Sequence, residues 1–296
     1  MSPLDVAIGV ELGGTKVVVG ASSAGTDLVH RDVIATVDPG ATLASVRASV
    51  EQVMNQYDVV SLGIASFGPI DLRQGSVAYG TMLATPKPGW TGVDVLSGIS
   101  FRGVATAIDT DVNAALLAET SWGAGTSENV AYLTVGTGIG GAIWSGGRVL
   151  YGANHPEIGH VRVPRHPDDD FRGNCPFHGD CLEGMASGTA IRDRWGISAE
   201  AFDSSESDAL ELEAWYLAHA IASLCAVVPV DQVIIGGGVA KMPGFHESIS
   251  AMLPEASGGY PPVPFSFGGP QVLPPGLGDD AGVLGAIELG RTIPVG

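Results

Sequence analysis

The chain has 296 residues, 45% of them hydrophobic and 16% charged, which supplies a core and excludes a disordered polyelectrolyte. Its 32 Asp and Glu outweigh 14 Lys and Arg, a formal net charge of -18. That balance excludes the basic footprint of a nucleic-acid binder, and an anionic membrane surface would repel it. A polyphosphate could approach such a chain only where metal, backbone N–H groups and a few local cations make a favourable site. The start, Met1 to Asp5, lacks a basic region followed by an apolar run, and no stretch reaches membrane-spanning length without interruption. Cys175, Cys181 and Cys225 are too few, and odd in number, for a disulfide framework, so a reducing cytoplasmic location is expected.

In chain order, residues 6–12 read as a strand, Gly13-Gly14 as a turn and residues 17–19 as the returning strand of a hairpin. Residues 41–57 carry apolar side chains at helical spacing, and residues 59–65 form a buried strand. Residues 79–92, rich in Gly, Pro and Thr, read as loop. A short strand at 105–108 leads to Asp109-Thr110-Asp111-Val112-Asn113, and a helix is expected from about Ala114 to Trp122 with Asn113 as its N-cap. Residues 130–135, the glycine run 136–141 and residues 142–144 repeat the strand–turn–strand opening, which suggests a duplicated fold with two related lobes. Residues 152–188 are polar and irregular, and a loop of that length needs a staple. A helix at 209–228, a strand at 233–235 ending in Gly236-Gly237-Gly238, a Pro/Gly-rich connection at 254–277 and a last helix at 281–289 complete the chain.

The staple is legible in Cys175-Pro176-Phe177-His178-Gly179-Asp180-Cys181, where two thiols and an imidazole recur at three-residue spacing. With His160 upstream they make the four N/S ligands of a closed structural zinc site. The alternative is a pair of surface cysteines beside a chance histidine. Glu157 and Glu183 bracket the segment; they read as solvated acids unless the metal fixes them as sugar-binding carboxylates. By spacing alone Asp109, Asp111 and Asn113 are capping and turn residues, although a carboxylate at a strand end facing a cleft can accept a hydroxyl proton. The turns at Gly13-Gly14-Thr15-Lys16, Gly136 to Gly141 and Gly236-Gly237-Gly238 let backbone N–H groups approach phosphate, with Thr15, Thr137 and Lys16 adding contacts. Singly each is an ordinary hairpin turn; neither a dinucleotide fingerprint nor a P-loop is present.

Taken together, Glu11-Leu12-Gly13-Gly14-Thr15-Lys16, Asp111-Val112-Asn113-Ala114-Ala115, Gly136 to Gly141, Glu157-Ile158-Gly159-His160 and Cys175 through Glu183 resemble the ROK family of sugar kinases, in family order over essentially the whole chain. Phe67 to Leu72, Tyr79-Gly80 and Thr85-Pro86-Lys87-Pro88-Gly89-Trp90 resemble its bacterial fructokinase branch. So do the Cys-x2-His-x2-Cys spacing and Glu11, where most relatives carry Asp. The resemblance implies an α/β fold of two actin-like (ribonuclease H-like) lobes around a central cleft, with a zinc-stapled loop at about 155–185. Residues 1–111 would form the first lobe and 112–280 the second, with a final helix, about 281–296, returning to the first. Asp111 would be the catalytic base. Asn113, Glu157, His160 and Glu183 would bind sugar hydroxyls. His160, Cys175, His178 and Cys181 would hold Zn2+, with the second ring nitrogen of His160 facing the sugar. Gly13, Gly14, Thr15, Lys16, Thr137, Gly138, Gly236, Gly237 and Gly238 would hold ATP with Mg2+. The implied activity is ATP-dependent phosphorylation of a hexose, foremost the 6-OH of fructose, by a cytoplasmic homodimer. Glucose, mannose or an N-acetylhexosamine are alternative substrates. A sugar-responsive regulator of the same fold would need a DNA-binding segment ahead of the strand at Val6, and a silent sugar-binding protein would not need Asp111.

Overall fold

The computed structural model describes residues 4–198, 201, 207–260 and 269–293, and it divides into two compact units. Unit 1 comprises residues 1–123, 151–155 and 279–296, and unit 2 comprises 124–150 and 156–278.

Unit 1 is built on β1 (Asp5–Leu12), β2 (Lys16–Ser22), β3 (His30–Ala35), β4 (Asp58–Ser66) and β5 (Ala105–Thr110), in sheet order β3-β2-β1-β4-β5. β1–β2 and β2–β3 pair antiparallel, while β4 runs parallel to β1 and β5 parallel to β4. β1 and β4 are apolar almost throughout, the pattern of strands covered on both faces. α1 (Pro39–Met54) begins at Asp38, whose carboxylate accepts from Ala41 N at 3.0 Å, with Pro39 in the first turn where its missing N–H costs nothing. α2 (Val95–Ile99) is one short turn, and α3 (Asp111–Trp122) follows β5 without a linker.

Unit 2 repeats the topology. Its strands are β6 (Val130–Val135), β7 (Ile139–Ser145), β8 (Arg148–Val149), β9 (Gln232–Gly236) and β10 (Gln271–Leu273), in order β10-β9-β6-β7-β8. Again an antiparallel meander is extended by two parallel strands. Its helices are α4 (Leu182–Ala186), α5 (Gly188–Trp195), α6 (Ser207–Val227) and α7 (Phe245–Ala256). α8 (Ala281–Arg291) belongs to unit 1, where it packs on β1, β4 and α3. A Cβ on Gly63 of β4 would stand 1.8 Å from the Ala286 carbonyl oxygen, so only glycine lets helix and sheet approach this closely.

Several expectations are corrected. α3 starts at Asp111, not near Ala114, and its N-cap is Thr110, whose hydroxyl accepts from Asn113 N at 3.2 Å. Asn113 is therefore an internal helix residue, almost fully buried, because its amide has a better partner than the helix end. The glycine run is not one turn: Gly140 and Gly141 lie inside β7, where they pair with Thr134 and Leu133. β3, α5, α7 and β10 were not expected at all. β3 alternates exposed and half-buried residues, and α7 holds Pro254 in its last turn, so each lacks the signal that marks its class. Residues 261–268 of the expected connection, and residues 294–296 of the expected last helix, lie outside the described residues.

Candidate active site and metal centre

In unit 2 the polar segment after β8 closes on itself. One ligand atom from each of His160, Cys175, His178 and Cys181 lies within 4.8 Å of every other. Cys175 Sγ is 3.8 Å from His160 Nδ1 and 3.7 Å from His178 Nδ1, and Cys181 Sγ is 3.6 Å from His160 Nδ1. Zinc bonds of about 2.3 Å to sulfur and about 2.0 Å to nitrogen give a tetrahedron with edges of about 3.5 Å. The spacing fits, as does the soft, mixed N/S chemistry. Burial pushes the Cys181 thiol up to about 11, so thiolates here need a cation to compensate them. Both histidines use Nδ1, which leaves Nε2 of each outside the cluster.

The elements around this cluster position the acids. His160 sits on a single helical turn, Ile158–His160, laid against β7. A Cβ on Gly159 would stand 1.9 Å from the Ile139 carbonyl oxygen, so glycine is what lets this turn, preceded by Glu157 and ending in His160, lie on the strand. Cys181 immediately precedes α4, so Glu183 falls in the first turn of that helix. There its Oε2 accepts from Ile139 N at 3.0 Å. The neighbouring turn is braced by the start of α5: Gly188 N donates to Gly136 O at 2.7 Å, and Thr189 Oγ1 to Thr137 O at 2.8 Å. Gly236 ends β9, and Gly237 takes φ +96° before the turn Val239–Lys241.

Unit 1 carries the other expected residues. Gly13, Gly14, Thr15 and Lys16 form the β1–β2 tip, closed by Gly13 N donating to Lys16 O at 3.0 Å. Asp111 opens α3, and its Oδ1 accepts from Val112 N at 2.9 Å. Glu11 lies close enough to Asp111 to feel its charge. Burial first, and Asp111 second, raise the Glu11 carboxyl to about 7, against an ordinary 4.5. Its Oε2 is buried and has no hydrogen-bond partner among the described residues. An orphaned carboxylate oxygen beside a second carboxylate is a hard-cation environment, which suits Mg2+ shared with substrate phosphates.

Asn113 is set by a residue that spacing alone did not single out as functional. Asp109 is buried, and its Oδ1 accepts from Asn113 Nδ2 at 2.7 Å and from Thr110 N at 2.7 Å. The Tyr151 hydroxyl donates to Asp109 Oδ2. Burial pushes the Asp109 carboxyl up, and these donors pull it back. A carboxylate can only accept, so it fixes the Asn113 amide with Nδ2 inward. Asn113 Oδ1 is then a buried acceptor without a partner among the described residues, ready for a hydroxyl. Asn154 and His155, on the same segment as Tyr151, bind the loop at residues 70–72: Leu72 N donates to Asn154 Oδ1 at 3.0 Å and Asn154 Nδ2 to Ile70 O at 3.0 Å. His155, without a role in the sequence reading, has Nε2 3.1 Å from Ile70 O. The clue in the sequence was the alternation Asp109, Asp111, Asn113; nothing in it pointed to Tyr151, which lies 42 residues from Asp109.

Two results are expected here. Tyr151→Phe strands a buried acceptor at a cost of about 1–3 kcal/mol and loosens Asn113, so denaturant melts should shift and the hexose KM should rise. Unchanged values of both would remove the network from the site. Glu11 gives a pH effect. As pH rises from 4.5 to about 7, the unfolded chain loses this proton before the folded one does, so the folded state loses stability through that window and no more above it. At about 1.4 kcal/mol per pKa unit the loss is on the order of 3 kcal/mol. Glu11→Gln should therefore raise the melting temperature at about pH 8 and leave it unchanged at about pH 4; parallel melts at both pH values would contradict this.

The sequence profile of the ROK family matches residues 7–293. A fructokinase of Zymomonas mobilis is 40% identical over 291 residues, covering 95% of this chain and 94% of that protein. A fructokinase of Pediococcus pentosaceus is 33% identical over 289 residues, covering 95% and 96%. Among solved structures, a ROK family glucokinase from Streptomyces griseus in complex with glucose and AMPPNP superposes with a TM-score of 0.78 at 26% identity, covering 97% of this chain and 99% of that one.

Proposed function

The chain belongs to the ROK family, and from that premise we propose that it is an ATP-dependent hexose kinase whose preferred acceptor is fructose. The observation that carries the reading is identity of 33% to 40% with fructokinases along nearly the whole chain, both units included. A second reading, glucose as acceptor, is favoured by the likeness to the glucose-bound Streptomyces griseus enzyme.

In this reading Asp111 accepts the proton of the attacking hydroxyl. Phosphoryl transfer depends mostly on positioning and charge, so the remaining residues act by holding. Asn113 Oδ1, Glu157, Glu183 and the free nitrogen of His160 take sugar hydroxyls; Asn113 offers its Oδ1 as acceptor, with one of its amide N–H groups given to Asp109. The Gly13 to Lys16 turn, Thr137, Gly138 and the Gly236 to Gly238 turn receive ATP. Mg2+ would sit by Glu11 and neutralise phosphate charge. Zn2+ would be held by His160, Cys175, His178 and Cys181, where it supplies rigidity; four protein ligands leave no open position for chemistry. Free, reduced cysteines suit a cytoplasmic enzyme, and a homodimer is the assembly we assign.

ADP release with ATP and Mg2+, measured on zinc-loaded protein against fructose, glucose, mannose and N-acetylmannosamine, tests the reading. We expect kcat/KM for fructose to exceed the others by about tenfold or more, a difference of about 1.4 kcal/mol in transition-state binding. Preference for glucose would keep the kinase and move the acceptor. No turnover with any hexose from folded protein would end the kinase reading.

A further inference from the structure

We propose that Lys87 is a second cation on the donor-phosphate turn, contacting the β- and γ-phosphates of ATP together with Lys16. The inference rests on the kinase reading above. The chain's lysines are Lys16, Lys87 and Lys241, and each stands at a glycine turn. Lys16 closes the Gly13–Lys16 tip, Lys241 ends the helical turn after Gly236 to Gly238, and the Lys87 ammonium donates to the Gly14 carbonyl, 73 residues away in sequence.

Charge gives the first argument. In a chain with 32 acidic residues, neither Lys16 nor Lys87 has a carboxylate within 4.0 Å among the described residues. Cations brought to one turn repel each other, and a -18 chain offers abundant carboxylates to pair them. Lys16 acts electrostatically on Glu11 and the Lys87 ammonium lies 6.0 Å from the Phe67 ring centre, but neither is neutralised by a carboxylate contact among the described residues, so both stay available to an incoming anion. Lys87 spends one of its three donors on Gly14 O and keeps two.

Rigidity gives the second. Lys87 stands between Pro86 and Pro88, which fix φ on both sides. Trp90, fully buried, anchors the loop: its indole N–H donates to Val37 O at 3.2 Å and its ring meets Phe67 edge-on at 5.1 Å. Trp90 N in turn donates to Lys87 O at 3.3 Å. The backbone that carries Lys87 is thus held by the loop itself. Space gives the third: a Cβ built on Gly14 meets no atom within 4 Å, so that face of the turn is open. A lysine is the suitable cation, since a compact ammonium with rotating donors follows a phosphate chain as a point charge.

The test compares wild type, Lys87→Met and Lys87→Arg. Steady-state kinetics with saturating hexose should show kcat/KM for ATP reduced tenfold or more in Lys87→Met, partly restored in Lys87→Arg, with the hexose KM within twofold of wild type. Calorimetry should show ATP and ADP binding weakened by Lys87→Met while AMP binding hardly changes. A residue that merely shaped the loop would move the hexose KM or the melting temperature and would not discriminate by phosphate number. Unchanged ATP kinetics, or an effect on hexose alone, overturns the inference. Should wild type turn over no hexose, the kinase reading fails by itself, and the calorimetry still decides Lys87: equal ATP binding by wild type and Lys87→Met refutes it.

Discussion

Asp111→Asn lowers kcat by about three orders of magnitude while hexose binding stays within a few-fold of wild type. General-base catalysis contributes about 10²- to 10⁴-fold, and phosphoryl transfer to a hydroxyl has no other proton acceptor assigned in this chain. The substitution isolates the charge. Asn keeps an oxygen for Val112 N, so the first turn of α3, capped by Thr110, stays as it is. It also relieves the like charge beside Glu11, which is one of the causes raising that carboxyl, so the variant should melt no lower than wild type. Hexose binding is read from the melting shift on adding sugar without ATP. A variant that binds sugar, melts normally and turns over within tenfold of wild type would remove Asp111 from the base role.

Loss of the proposed zinc should lower the melting temperature by about 10 °C and raise the hexose KM at least tenfold. A loss of about 3–5 kcal/mol shifts a domain of this size by roughly that much, at about 2–4 °C per kcal/mol. The size follows from how little else holds the segment. Between His160 and Cys181 the described residues form no helix and only isolated bridges, Arg162 with Cys181 and Cys175 with Gly179. The Arg162–Asp180 ion pair at 2.5 Å is mostly exposed and contributes little. Arg194 adds a buried brace, donating to Asp169 at 3.0 Å and to Met185 O at 2.8 Å, so the segment should loosen without the whole unit unfolding. The effect on KM follows from Cys181 and Glu183 sharing the start of α4: losing the metal frees the helix that aims Glu183. Chelation of wild type and Cys181→Ser should give the same deficit, and the two together no more. Metal analysis before and after chelation is the control. An unchanged melt on protein shown to have lost its metal would leave the cluster a pair of thiols beside two imidazoles.

Much of this was readable from residue order because it rests on local spacing. Cys175, His178 and Cys181 sit on one short loop, where sequence distance bounds spatial distance. The β1–β2 and β6–β7 hairpins need only apolar runs and a turn, and the duplicated topology follows from seeing that pattern twice. Elements without a strong period escaped: β3 is half exposed, and α7 carries a proline. The cap of α3 was misplaced because Thr110, Asp111 and Asn113 are all competent N-caps, and only burial selects among them.

Residue order carries the chemistry on offer: a soft-metal ligand set, a carboxylate where α3 begins, glycine turns and a formal net charge of -18. Tertiary structure alone decided which partner each group has. It brought Tyr151 to Asp109, 42 residues away, and set Asp109 against the Asn113 amide, which leaves Asn113 Oδ1 as a buried acceptor without a partner among the described residues. It left Glu11 with a buried, unpaired oxygen, and it carried Lys87 across 73 residues to Gly14. The physical reason is that a side chain's protonation, orientation and free valence depend on desolvation and on neighbours within a few ångströms, and such neighbours come from any part of the chain once the sheet and its loops have packed.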